Sequence, residues 1–233
     1  MRTLVIGDIH GTYRALLQCL ERSLFDRTVD RLVVLGDVCD VYPDTRACID
    51  ELLSLSCCEL VIGNHDLMTL DWALRGHGTS VWLEQGGAAT IASYSGGPMP
   101  VSHTDFLNRA HSWLELDGRV FVHGGFDPAI PLKNQSVRTL AWDRSLLLEA
   151  AAASSSGEGG RVGTYREIFV GHTPTQRFGS DVPVRFLNIW DMDTGAGWSG
   201  RLSIMDVATG EVWQSDPVSE LYSGGGVRRG DRV

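Results

Sequence analysis

The sequence predicts an α/β fold built on a buried parallel sheet, and two observations carry that prediction. Short apolar runs alternate with helical stretches over the first 65 residues, and each run ends in glycine followed by acidic, amide or imidazole side chains. Nearly continuous apolar strands joined through helices mark a parallel sheet covered on both faces. Such sheets place their ligands at the carboxyl ends of the strands.

In chain order, Thr3–Ile6 reads as a strand, 13–24 as a helix, Leu32–Leu35 as a strand, 47–55 as a helix and Leu60–Ile62 as a strand, a βαβαβ pattern. Residues 66–118 read as helices and loops with glycine-rich breaks (Gly76-His-Gly78, Gln85-Gly-Gly87, Ser95-Gly-Gly-Pro98), a cap-like insertion over one side of the sheet. A fourth strand, Arg119–Val122, runs into His123-Gly124-Gly125. Residues 140–153 suit a helix, 154–160 a flexible surface loop, and Glu167–Val170 a strand ending in Gly171-His172-Thr173. Phe186–Trp190, Leu202–Asp206 and Glu211–Ser215 read as an antiparallel run closing a second sheet. One domain is expected over 1–222, with a flexible tail at 223–233.

Composition bounds the function. Hydrophobic residues are 43% and charged residues 21% of the 233, ordinary globular usage that excludes a disordered or fibrous chain. Twenty basic against 29 acidic side chains leave a net charge of −9, so nucleic acid and anionic membrane are not expected partners. A phosphate-bearing substrate would need a local site. Five cysteines (19, 39, 48, 57, 58) form no C-x-x-C pair, no apolar run approaches the 18 residues of a membrane span, and the amino-terminal run is too short for a signal peptide. A reduced, cytoplasmic chain is expected, monomeric because no heptad or apolar stripe stands out.

Five strand ends present Asp8 and His10, Asp37 and Asp40, Asn64 and His65, His123, and His172. This set of hard oxygens and imidazoles suits a two-metal site, with one carboxylate, Asp37, bridging two mutually repelling cations. Any one of these turns could be ordinary turn chemistry; five in register could not. A water shared by two such cations loses a proton near neutral pH, which makes a nucleophile for phosphorus.

The motifs Gly7-Asp-Ile-His-Gly11, Gly36-Asp-x-x-Asp40, Gly63-Asn-His-Asp66, His123-Gly-Gly125 and Gly171-His-Thr173 together resemble the phosphoprotein-phosphatase type of calcineurin-like metallophosphoesterase, the group of the bacteriophage lambda phosphatase and related bacterial serine/threonine phosphatases. The resemblance implies a two-sheet β-sandwich flanked by helices. It implies that Asp8, His10 and Asp37 hold one divalent ion and Asp37, Asn64, His123 and His172 the other, with manganese expected and iron or zinc as alternatives. His65 resembles the general acid, Asp40 the carboxylate that orients it, Asn64 also a phosphate contact, and Trp142-Asp-Arg144 the segment that supplies a phosphate-binding arginine. The family usually continues Gly-Asp-x-x-Asp with a second such arginine, where this chain has Val41. Arg46, five residues on at the start of the next helix, is then expected to reach back into the site, with Arg144 acting alone beside the metals as the alternative. The implied activity is hydrolysis of phosphoserine and phosphothreonine in proteins; symmetrical diadenosine tetraphosphate hydrolysis, or another nucleotide phosphatase activity, is the alternative. His77, His103 and His111 are read as packing or surface residues, Trp72, Trp82 and Trp113 as core of the cap, and Cys39 as a small filler.

Overall fold

The computed structural model describes residues 1–222 apart from Glu158. The expected tail at 223–233 lies outside the described residues. The chain runs β1 (Thr3–Ile6), α1 (Tyr13–Arg22), β2 (Arg31–Val34), α2 (Thr45–Ser54), β3 (Cys58–Leu60), α3 (Asn64–Arg75), α4 (Ser80–Trp82), α5 (Ala88–Ser93), α6 (Val101–Asn108), β4 (Leu114–Leu116), β5 (Arg119–Phe121), α7 (Val137–Trp142), α8 (Ser145–Ser155), β6 (Glu167–Val170), β7 (Val184–Phe186), β8 (Ile189–Asp191), β9 (Ser203–Asp206), β10 (Val212–Gln214) and α9 (Val218–Leu221).

Alternation along the strands builds the layers. Leu4 and Ile6 of β1, with Leu32 and Val34 of β2, face a core shared with α1 and α2, while Val5 and Val33 point the opposite way. Val120, Ile168 and Val170 likewise face a second helical core containing Leu146 and Leu147 of α8. Phe121 and Phe169 turn inward to meet Val5, Val33 and Met205 between the sheets. Two sheets, ordered β10-β9-β1-β2-β3 and β4-β5-β6-β8-β7, therefore pack face to face with helices outside them. In the first sheet β1, β2 and β3 are parallel, and in the second β5, β6 and β8 are parallel. Among the described residues no helix is long and apolar enough to cross a membrane.

Four readings need correction. The 186–190 strand is a hairpin, β7 to β8, turning at Leu187 (φ 54°) and Asn188, a turn that contains no glycine to announce it. β9 and β10 join the first sheet, through β9 antiparallel to β1, rather than closing the second. Every residue of β9 is buried, so its pattern names no partner. The 140–153 helix breaks at Asp143, whose carboxylate accepts hydrogen bonds from the Leu146 N–H (3.1 Å) and the Ser145 hydroxyl (2.7 Å) and so starts a new helix. Within 66–118, β4 is an edge strand of the second sheet, and Trp113 packs against the second core. Trp72, Trp82, Tyr94 and Leu107 of that stretch share the first core with β1 and β2.

The Phe121 and Phe169 rings stack between the sheets at 5.0 Å. Phe121→Ala should lower unfolding free energy by about 3–5 kcal/mol, read as a shifted urea midpoint at unchanged slope. A loss below about 1 kcal/mol would mean that this layer is not the close-packed centre described.

Candidate metal and active site

The carboxyl ends of β1, β2, β3, β5, β6 and β8 open toward one edge of the sandwich, and the loops leaving them turn sharply. His10, Asp37, Asp40, Val41 and His172 all adopt positive φ, between 47° and 75°. Non-glycine residues rarely accept this backbone, and the β-branched Val41 accepts it least readily. Crowding explains the tolerated strain: a Cβ on Gly171 would lie 2.1 Å from Asp8 Oδ1, and one on Gly197 would lie 2.4 Å from the His10 ring.

Asp37, buried at the centre, accepts the His65 N–H at 2.9 Å. Its two oxygens lie 3.6 Å from His10 Nε2 and 3.4 Å from His123 Nε2. Backbone carbonyls orient both imidazoles: His10 Nδ1 donates to Cys39 O at 3.2 Å and His123 Nδ1 to Leu35 O at 2.6 Å, which turns each Nε2 toward the cluster. Asn64 Oδ1 also lies 3.1 Å from His123 Nε2. One ligand atom each from His10, Asp37 and His65, and one each from Asp37, His123 and His172, lie within 4.8 Å of one another. Asp37 belongs to both groups.

Several observations show that divalent cations fit here. His172 Nε2 is buried without a hydrogen-bond partner among the described residues. Burial, then His123 and Arg144, depress the His172 imidazole to about 2, so it stays a neutral lone-pair donor. Burial, then Asp193 and Asp37, push Asp8 well above the usual carboxylate range. Burial works against the Asp37 charge too, but the imidazoles led by His123 overcome it and hold Asp37 well below that range. Burial lowers His123, yet Asp37 outweighs it and the net shift is upward. Clustered carboxylates facing converging lone pairs form a site that positive charge would complete. Asp8, His10, Asp37, Asn64, His123 and His172 would hold it.

Beside this cluster His65 Nδ1 donates to Asp40 Oδ2 at 2.8 Å, with Asp40 wholly buried. Arg144 sits between α7 and α8, held by the Asp143 cap, and its Nη2 donates to His172 O at 3.3 Å. A cavity of about 260 Å³ is lined by Asp8, His10, Asp37, Asn64, His65, Arg144 and His172, with His123 and Asp40 behind its wall. Arg46 is a correction. It lies on the exposed side of α2, 3.9 Å from Asp50, in a separate depression with Pro43 and Ser93. The first turn of α2 carries it away from the strand ends. His103 is buried between the Tyr94 hydroxyl and Asp50, while His111 pairs with Glu59.

The cavity also holds residues that the sequence reading passed over: Asp193, Trp198 and Gln85. Asp193 follows β8, a sixth strand end, and counting that strand with the others would have exposed it. Gln85 comes from the inserted helices, which strand-end logic does not reach.

A model of the calcineurin-like phosphoesterase family matches residues 1–194. The chain belongs to the calcineurin-like phosphoesterase family. It is 29% identical to serine/threonine-protein phosphatase 1 of Salmonella typhimurium over 86% of this chain and 89% of that protein. It is also 29% identical to a symmetrical bis(5′-nucleosyl)-tetraphosphatase of Coxiella burnetii over 75% of this chain, which spans only 55% of that protein. A solved structure provisionally named a diadenosine tetraphosphatase superposes with a TM-score of 0.69 at 19% identity, covering 91% of this chain and 92% of that one. The calcineurin-like fold is thus shared, and the chain is a phosphoesterase whose histidines and aspartates can bind divalent metal.

Two ions per chain are expected when Mn²⁺ is titrated calorimetrically into metal-free protein, and Asp37→Asn should abolish both binding events. One surviving tight site in that variant would show that Asp37 does not belong to both groups. The same protein should lose stability in acid. The unfolded His172 binds a proton near 6.5 and the folded one only near 2, so its contribution is complete above 6.5 and falls with pH below it. His172→Gln should therefore flatten the acid-side slope of unfolding free energy by up to about 1.4 kcal/mol per pH unit. Parallel slopes in the two proteins would refute the buried neutral imidazole.

Proposed function

We propose that the protein hydrolyses phosphomonoesters, chiefly phosphoserine and phosphothreonine in proteins, with manganese as its working metal. The observation that carries this reading is the charge of the cavity: among its described lining residues Arg144 is the one arginine and no lysine is present, while Asp8, Asp37 and Asp193 supply negative charge. With Asp8 and Asp37 engaged by divalent ions, such a wall neutralises a single phosphoryl group locally and offers, among its described lining residues, no second arginine or lysine to pair with the remaining phosphates of a polyphosphate chain. The likeness to the Salmonella phosphatase over nearly the whole of both chains supports the same reading.

Bound divalent ions would acidify a water and withdraw charge from the phosphoryl oxygens. Arg144 would clamp two phosphoryl oxygens through its guanidinium fork, and Asn64 would donate its amide N–H to the same group. His65, with Nδ1 committed to Asp40, would deliver a proton from Nε2 to the departing serine or threonine oxygen. No covalent phosphoenzyme is needed.

The second reading, symmetrical hydrolysis of dinucleoside tetraphosphates, is favoured by the Coxiella similarity. Assays with Mn²⁺ on phosphoserine peptides and diadenosine tetraphosphate separate the two. Higher kcat/KM on the peptides is expected, and the reverse ranking would replace the first reading with the second. Arg144→Ala should cost roughly 10- to over 100-fold in kcat/KM, whereas Arg46→Ala should cost nothing. His65→Asn should slow alkyl phosphates by about 10²–10⁴-fold and nitrophenyl phosphate far less, because nitrophenolate leaves without a proton. Equal losses on both substrates would remove His65 from the general-acid role.

A further inference from the structure

Asp40 is wholly buried, and four side chains converge on its carboxylate. His65 Nδ1 (2.8 Å) and Trp82 Nε1 (2.7 Å) donate to Oδ2, while the hydroxyls of Thr90 (2.7 Å) and Thr69 (3.2 Å) donate to Oδ1. His65 and Thr69 both belong to α3. Trp82 and Thr90 come from α4 and α5, in the stretch where the sequence suggested only a cap. We propose that Trp82 and Thr90 are positioning residues for the proton donor, fixing Asp40 so that His65 holds one ring orientation toward the leaving group. This rests on the general-acid role proposed above for His65.

The chemistry at Thr90 is specific. Its hydroxyl has one proton, given to Asp40 Oδ1, so it receives the Asp40 N–H (2.9 Å) and the Thr45 hydroxyl (3.1 Å) on its lone pairs. One side chain thus grips both the carboxylate and the left-handed backbone of Asp40, at φ 75°. Trp82 reaches the same oxygen that His65 uses. With α3 as its only source of donors the carboxylate could swing with that helix; donors from two sides leave it one rotamer. A buried carboxylate deprived of a donor would turn toward other N–H groups and carry the imidazole with it.

Trp82 also packs on Trp72, with ring centroids 5.6 Å apart, so the test must separate positioning from core packing. Trp82→Phe keeps an aromatic ring and deletes the N–H; Thr90→Val keeps the shape and deletes the hydroxyl; Thr90→Ser restores it. Each is assayed with Mn²⁺ on a phosphoserine peptide and on nitrophenyl phosphate, beside His65→Asn. Trp82→Phe and Thr90→Val should each lower kcat on the peptide roughly tenfold more than on nitrophenyl phosphate, and Thr90→Ser should keep the wild-type ratio between the two substrates. In a His65→Asn background neither should change that ratio further, because residues acting through one group are not additive. Equal losses on both substrates, or an added change of ratio without His65, would overturn the inference. If Trp82→Phe fails to fold, the Thr90 pair decides alone. Loss of the His65→Asn selectivity itself would instead refute the general-acid reading on which the inference rests.

Discussion

A buried carboxylate that cannot be left alone organises this molecule. Asp37 lies beneath the ends of strands from both sheets, and in a low-dielectric interior its charge demands partners on every side. The His65 N–H, His10 and His123 answer it, each delivered by a different strand end. Two face-to-face sheets with parallel centres supply that geometry, because their carboxyl ends open toward one edge. A single sheet could not surround the charge.

The electrostatics are unbalanced by design of the donor set. Burial and then Asp193 push Asp8 up, whereas imidazoles hold Asp37 down. His172 brings a neutral imidazole rather than a cation. Polypeptide alone leaves this cluster short of positive charge, and the strained backbone at His10, Asp37 and His172 holds the donors close in spite of their repulsion. Recognition of divalent ions is therefore a property of the folded frame as a whole rather than of any one loop.

What was legible in the sequence follows from which physics is local. The apolar runs at 3–6, 32–35 and 167–170 and the ligand chemistry after them could be read because strand burial and turn chemistry act over a few residues. The partner of β9 could not, since a strand buried on both faces looks alike in either sheet. The break at Asp143 was hidden because an aspartate within a helical run signals a cap only when its carboxylate meets the N–H three residues on. Arg46 misled because five residues along the chain say nothing of direction once a helix has begun. Asp193 and Gln85 escaped for different reasons: the first follows a strand that had been misplaced by a hairpin, and the second arrives from helices distant in sequence.

Val41 carries a meaning of its own. Its N–H donates to Gly86 O at 3.2 Å, its side chain is buried, and the turn that bears Gln85 rests directly on it. A long cationic side chain at this position would have to push that turn away. Valine beneath and the turn above therefore fit as one packing unit: with this turn laid over the strand end, the position holds a short apolar side chain and leaves no room for a long cationic one.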